Sequence, residues 1–443
     1  MLEADLKRYY NRCQPAEPLE PGDDRNVDFD ADPHRPRGLV WVDRLYRPIQ
    51  LADAPVMLLF TGLPGSGKST ELRRLAQRLA SEQGTNLLPV VVDAEEVLDL
   101  TNPIDVPDII ATVVAAVERA VLALEGKSDS PGWLGRFWDW LAGTDVELKK
   151  VSLGVGEIAK LDLELKARPS LREQVHTVIA RNFTAFVDRA REELVRLEER
   201  ARGSGRRGIV VIYDSIEKLR GLSTNFTDVL ASAEAVFGSG APYLRLPVHV
   251  VYTVPVALAA RSLARLSYMP MIKLHNRDTP AVPYAPGVAA LREMIRRRVP
   301  DEALLEVLGP QAEERVGALI QLSGGYPREV IRLLRSVFLV GEFPLDDGEF
   351  KRVLNDVRTE LRQVVPADAF EWLARVAKDK FLTIETEEHR AAADLMLSNN
   401  VIMRYRNDDE WFDLHPAARA IPGVLAALAR LERDDASAPH DRG

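Results

Sequence analysis

Five short apolar runs punctuate the first 285 residues: 56–60, 87–93, 208–214, 246–253 and 269–274. Valine, isoleucine, leucine and phenylalanine fill them with little alternation, the pattern of strands buried on both faces. Between them lie stretches with helical spacing of apolar positions, at 70–81, 109–124, 171–202 and 222–237. Strands alternating with helices predict a mainly parallel sheet covered by helices. Past Pro286 the strand pattern stops, and 288–299, 301–308, 311–323 and 328–339 read as helices of a small helical domain. From about Asp346 the chain reads as three further helical segments. A hairpin follows, with 401–406 and 411–415 joined by the polar turn Asn407-Asp408-Asp409-Glu410. Three helices and a hairpin predict a winged helix.

The ends and one internal region depart from this rhythm. Residues 1–12 read as a short helix, and 14–37, rich in Pro, Asp and Gly, as an extended arm that either lies against a bound nucleotide or serves as a linker. Residues 125–170 read as an insertion. Trp133, Phe137, Trp138 and Trp140 cluster there, and 146–165 alternates like one or two hairpins. A small satellite core is the plainer account of the aromatics, and a partner-binding or membrane-touching patch the sharper one, the few basic residues there opposing the membrane version. The last eight residues are polar and predict a disordered tail. The expected organisation is an N-terminal arm (1–40), a core (41–285) with its insertion, a helical lid (286–345), a winged-helix-type domain (346–435) and the tail (436–443).

Composition narrows the class. The chain has 443 residues, 46% hydrophobic and 28% charged, as in ordinary globular proteins. A net charge of −9 offers no general attraction to nucleic acid or anionic membrane. One cysteine, Cys13, excludes an internal disulfide, and no Cys/His metal cluster is spelled out. The first residues lack the layout of a secretory signal, and no apolar run approaches a membrane span, so the expected location is cytoplasmic.

The chemistry is concentrated at Gly62-Leu63-Pro64-Gly65-Ser66-Gly67-Lys68-Ser69-Thr70. It matches G-x-x-x-x-G-K-[ST] and stands between a strand pattern and a helix pattern, the context the motif requires. Gly62, Gly65 and Gly67 let the backbone curl and aim N–H groups at phosphate oxygens. The helix behind adds partial positive charge. Lys68 is expected to reach the β- and γ-phosphates, and Ser69 to ligate magnesium. No guanine-specifying Asn/Thr-Lys-x-Asp motif is present, which tilts the base to adenine and the expected ligands to ATP and Mg2+.

Hydrolysis needs an acid near the metal and a group to orient water. Asp93 and Asp214 both end apolar strands. Asp214 is preferred as the metal-side acid, because its strand is the more apolar and Glu217 follows at a distance suited to activating water. Capping the next segment is the plainer role for Asp93. Thr253 ends the following strand, where a hydroxyl could sit between γ-phosphate and water. Ser323-Gly324-Gly325-Tyr326-Pro327-Arg328 is a tightly specified turn into a helix, and Arg328 could reach the γ-phosphate from it. Arg261 and Arg265 are candidates for an arginine acting on a neighbouring subunit's nucleotide, and fit solvated helix-face charges equally well.

These elements in this order resemble the additional-strand P-loop ATPases: the AAA+ class and, more closely, the STAND signal-transduction ATPases. Asp214-Ser-Ile-Glu217 has the acid spacing of STAND and origin-recognition-like members. Gly325-Tyr-Pro-Arg328 looks like the Gly-x-Pro-Arg signature of STAND and transposition-helper ATPases. The resemblance covers roughly residues 40–430. It implies a slow ATPase that acts as a molecular switch on a separate effector or sensor protein and leaves ATP-dependent homo-oligomerisation open. Neither an effector domain nor a repeat array is visible in the sequence, which departs from the STAND pattern. By analogy, small bacterial ATPases of this shape belong to conflict or antiviral-defence systems. The first alternative is a DNA-binding AAA+ loader or transposition helper. The acidic residues of 385–396 and of the wing tip at 407–410 oppose it, since groove binding needs lysines and arginines there. The second is a P-loop small-molecule kinase with Asp93 as its acid, a scheme in which the winged helix has no task.

Overall fold

The computed structural model describes residues 3–127, 133, 136, 179–219, 224–260 and 266–437. Most of the predicted insertion, Arg261, Arg265 and the end of the tail lie outside them. The chain divides into two compact units, each drawn from separated segments. One comprises Val42–Thr61 and Glu71–Tyr268; the other comprises Met1–Trp41, Gly62–Thr70 and Met269–Gly443.

The first of these units is built on five strands: β1 (Met57–Gly62), β2 (Leu88–Asp93), β3 (Ile209–Asp214), β4 (His249–Thr253) and β5 (Leu266–Met269), in the order β2-β3-β4-β1-β5. The pairings β2–β3, β3–β4 and β4–β1 are parallel. β4 therefore separates the strand leading into the glycine loop from the strand ending in Asp214. This is the additional-strand arrangement of the P-loop NTPase fold. On one face Leu59, Val90, Val92, Val211, Tyr213, Val250 and Tyr252 share a core with the helices Val106–Leu124, Phe183–Gly203 and Phe226–Phe237. The alternate residues Val210, Ile212 and Val251 are also fully buried. In the edge strand β2, Val91 is exposed; burial on both faces is why β1, β3 and β4 read as unbroken apolar runs. Each such side chain contributes about 1.5–3 kcal/mol on leaving water. The helix Val106–Leu124 starts at a capping box between Asp105 and Asp108. Its Thr112 hydroxyl meets the Tyr213 hydroxyl at 2.7 Å.

Trp133 belongs to this same core. It is 4% exposed, its ring centroid lies 6.0 Å from that of Phe186, and its main-chain N–H donates to Glu118 at 2.6 Å. Arg136 joins Glu118 and Glu193. For Trp133 the aromatic cluster is thus main core; the other aromatics of the insertion lie outside the described residues.

The other unit holds the lid helices Ala285–Arg296, Asp301–Leu308, Ala312–Leu322 and Pro327–Phe338. Their core includes Tyr9, Cys13 and Phe29 from the N-terminal residues. Arg12 donates to the main-chain oxygen of Arg297 at 2.6 Å, and Arg298 to that of Arg25 at 3.1 Å. The arm is therefore built into the lid rather than serving as a free linker. Burial pushes the Cys13 thiol up to about 11, so it packs as a small apolar group.

The strand expected at 269–274 ends at Met269. Pro270 has no N–H to give, and the next three donors serve other partners. Met271 donates to Arg404, Ile272 to Gly325 and Lys273 to Pro36, all on main-chain oxygens. A short hairpin missed by the hydrophobic pattern follows, β6 (His275–Asn276) with β7 (Thr279–Pro283), the latter exposed throughout. The winged helix consists of helices Asp347–Val364, Phe370–Asp379 and Glu387–Ser398, then the hairpin β8 (Ile402–Arg406) and β9 (Glu410–Leu414). Arg406 pairs with Glu410 at the turn.

Candidate functional site

The glycine loop joins β1 to the helix Lys68–Ala80. Gly65 and Gly67 sit at φ +78° and +100°, a region that side-chain-bearing residues rarely enter. The Ser66 N–H closes the turn onto the Leu63 oxygen at 3.1 Å. Lys68 is buried, and its ammonium donates to the oxygens of Gly62 and Leu63 at 3.0 and 3.2 Å. Carbonyl oxygens accept hydrogen bonds from an ammonium without neutralising its charge. The Ser69 and Thr70 side chains are half-buried. Thr70 Oγ1 accepts from the Leu19 N–H of the arm at 3.4 Å.

Two residues from the same unit close around this loop. Tyr326 lies so near Gly65 that a Cβ there would meet its ring at 2.5 Å. Arg328 begins the helix after that turn, and its Cβ would stand 2.8 Å from a Gly65 Cβ. The turn is fixed from behind. A Cβ on Gly325 would fall 1.8 Å from the Ile272 oxygen, and the Tyr405 hydroxyl donates to the Gly324 oxygen at 2.5 Å. Arg328 itself makes no hydrogen bond or ion pair with any described residue, and its Nε is buried without a partner. An arginine left so, at the start of a helix whose first turn meets a phosphate-type loop, suits an anionic ligand.

Two contacts to the loop were not legible in the sequence. Arg37, 1% exposed, donates from Nη2 to the Ser66 oxygen at 2.7 Å, its guanidinium 4.6 Å from the Phe29 ring centre. Asn400 donates from Nδ2 to the Pro64 oxygen at 3.1 Å. The Asn399-Asn400 pair at a helix end, where a left-handed residue is favoured, was the one signal available, and nothing in the sequence distinguished Arg37 from the other arginines of the arm.

In the other unit, the carboxyl ends of β1, β3 and β4 fall on one sheet edge. Phe60 is paired with Thr253, and Tyr213 with Tyr252. Ligands of open α/β sheets bind at such edges. Asp214 is buried and accepts the Ser215 N–H at 2.8 Å. Ser215 is left-handed at φ +68°, an uncommon state for serine, and starts the turn Ile216–Lys218 that carries Glu217. The Thr253 hydroxyl donates to the Tyr213 oxygen at 3.3 Å and accepts the Ile216 N–H at 3.1 Å. With its one proton given to Tyr213, Thr253 positions this turn. Asp93, paired with Asp214 across β2 and β3, caps the helix Ala94–Val97 by accepting the Glu95 N–H at 3.0 Å. Lys218 pairs with Glu95. Among the described residues no cluster of His, Cys, Asp and Glu could hold a metal unaided.

No protein-family model matches the sequence, and no curated protein matches it. Distant likenesses exist among solved structures. The ORC2 protein of Aeropyrum pernix, in ADPNP–ADP complexes, is 12% identical, with 96% of this chain and 98% of that chain covered and a TM-score of 0.39. The Cdc6p of Pyrobaculum aerophilum is 11% identical, with 96% and 98% covered and a TM-score of 0.37. The Drosophila ORC bound to DNA is 13% identical, with 97% and 93% covered and a TM-score of 0.36.

Proposed function

We propose that this chain binds and slowly hydrolyses ATP, and that the bound nucleotide sets the state of a switch acting on a separate effector or sensor protein. The observation that carries the nucleotide reading is Arg328. It has no hydrogen-bond or ion-pair partner among the described residues, and its Cβ lies close to Gly65 of a glycine loop whose φ angles and buried Lys68 already suit phosphate. Gly62, Leu63, Pro64, Gly65, Ser66, Gly67, Lys68, Ser69 and Thr70 hold the phosphates. Ser69 and Asp214 are the residues proposed to hold Mg2+, which would offset phosphate charge. Glu217 orients or deprotonates the attacking water. Thr253 acts by fixing the turn that carries Glu217. Arg261 or Arg265 supplies an arginine to a neighbouring subunit if the chain assembles on ATP.

The same unit contains loop, arm, lid and winged helix, which supports reading the nucleotide as a conformational signal. The STAND type and a place in bacterial defence remain part of this proposal, by the motifs at 214–217 and 325–328. A cytoplasmic location belongs to it too; no described helix is long and apolar enough to cross a membrane. DNA loading is disfavoured by the wing, where Arg404 and Arg406 are both engaged by Glu410. The exposed start of the helix Glu387–Ser398 is acidic. A kinase using Asp93 is disfavoured by the cap that Asp93 makes.

The test is nucleotide binding and turnover in wild type, Lys68→Ala and Glu217→Gln, with the mass in solution measured under ADP, ATP and ATP with duplex DNA. Lys68→Ala should lose binding or hydrolysis, and Glu217→Gln should bind but turn over orders of magnitude more slowly. Normal turnover in Lys68→Ala overturns the ATPase reading. Assembly only with DNA replaces the switch by a loader.

A further inference from the structure

We propose that Arg37 and Asn400 are positioning residues for the phosphate loop, and that through them phosphate binding is coupled to the N-terminal arm and the winged helix. This rests on the nucleotide reading above and adds how the loop is held. In a planar trans peptide the C=O and the next N–H point in opposite directions. Fixing the Ser66 oxygen therefore fixes the Gly67 N–H, and fixing the Pro64 oxygen fixes the Gly65 N–H. Those are the N–H groups of the two glycines at positive φ. Glycine-flanked peptides rotate with little penalty, so a loop of this composition needs external holds to keep its donors aimed at one point. Arg37 supplies one at 2.7 Å and Asn400 the other at 3.1 Å.

Each hold is itself held. The Arg37 guanidinium packs on Phe29, which is part of the lid core. Its neighbour Pro36 accepts the Lys273 N–H at 3.0 Å, and Tyr284 donates to the His34 oxygen at 2.7 Å. Asn400 is left-handed at φ +56°, between the helix Glu387–Ser398 and β8, and the Val401 N–H returns to the Met396 oxygen at 2.9 Å. Neither side chain needs to touch the ligand. Both act on the direction of main-chain donors, and linkage makes the effect reciprocal: a ligand that requires those directions stabilises the arm and the 399–404 segment in return.

The experiment uses the full chain and ADP as the probe. Binding is measured by calorimetry for wild type, Arg37→Ala and Asn400→Gly. Hydrogen exchange of residues 14–40 and 399–404 is followed with and without ADP. Glycine accepts the backbone of Asn400 while removing its donor, so Asn400→Gly carries the test alone should Arg37→Ala not fold. Each variant should bind ADP about tenfold or more weakly, the size of one lost buried hydrogen bond to a loop that must be held. ADP should slow exchange in both segments of wild type. Arg37→Ala should lose the arm response and keep that of 399–404; a merely structural role would alter exchange in both states alike. Wild-type affinity in both variants overturns the inference and leaves the ATPase reading standing. A wild type that binds neither ADP nor ATP overturns that reading and this inference with it.

Discussion

Gly65 and Tyr326 leave no room for a side chain between them. A Cβ on Gly65 would stand 2.5 Å from Tyr326 Cε2 and 2.7 Å from its hydroxyl oxygen. Gly65 also sits at φ +78°, where alanine is strained by about 1–2 kcal/mol before any contact is counted. Gly65→Ala should therefore fold with a lower melting temperature and bind nucleotide at least tenfold more weakly. Adding Tyr326→Ala should restore part of the stability by opening the space, but none of the part due to φ. A Gly65→Ala protein with unchanged melting temperature and affinity would show that loop and turn are not fitted to one another.

Arg328 should separate function from stability. Because its guanidinium has no partner among the described residues, truncating it breaks no ion pair, and its buried Nε no longer goes unsatisfied. Arg328→Ala is expected to melt within a degree or two of wild type and to lose at least an order of magnitude in ATP turnover. Binding of ADP should change less than binding of ATP, since the γ-phosphate is the group assigned to this residue. Thermal melts with ADP and ATP titrations check both halves. A large drop in melting temperature would reassign Arg328 to the framework.

What the sequence made legible follows from how each feature is encoded. β1, β3 and β4 are buried on both faces, so their composition announces them, and β2, though Val91 is exposed at the sheet's edge, is apolar enough to be read with them. β5 and the segment after it do not, because Met271, Ile272 and Lys273 are apolar or half-apolar for another reason: their N–H groups are spent on Arg404, Gly325 and Pro36. The glycine loop is visible because its geometry needs glycine at fixed spacing. Arg37 and Asn400 act on main-chain oxygens from 29 and 336 positions away, and a carbonyl acceptor leaves no trace in residue identity. Asp93 shows the converse: a strand-end acid looks the same in sequence whether it caps a helix or serves a metal.

Thr253 is the joint between β3, β4 and the turn bearing Glu217. Its hydroxyl donates to Tyr213 and accepts from Ile216, both in a fully buried setting. Thr253→Val keeps the shape but orphans the Ile216 N–H, at about 1–3 kcal/mol. Thr253→Ser keeps the hydroxyl and should retain most of the stability. In urea titrations the valine variant should be the weaker, and its ATP turnover should fall with nucleotide affinity nearly unchanged. If valine and serine behave alike, the hydroxyl does not hold the turn.

His415 predicts the acid response of the winged helix. It is 2% exposed, and its Nδ1 accepts the Ala417 N–H at 3.1 Å at the start of the helix Pro416–Arg419. Accepting there requires the unprotonated nitrogen. Burial first, and the Arg332 guanidinium second, push the ring down to about 3 from its ordinary 6.5. The unfolded chain thus binds a proton that the folded chain refuses between those two values. The stabilisation from a neutral His415 is complete above about pH 6.5 and is lost as pH falls toward 3, with a limiting slope of about 1.4 kcal/mol per pH unit. Asn at this position can accept the same N–H and does not titrate. Urea unfolding at pH 7.5, 5.5 and 4.5 should therefore show wild type losing stability faster than His415→Asn, with the gap widening as acid is added. Parallel pH profiles for the two proteins would mean that the histidine is not what the acid attacks.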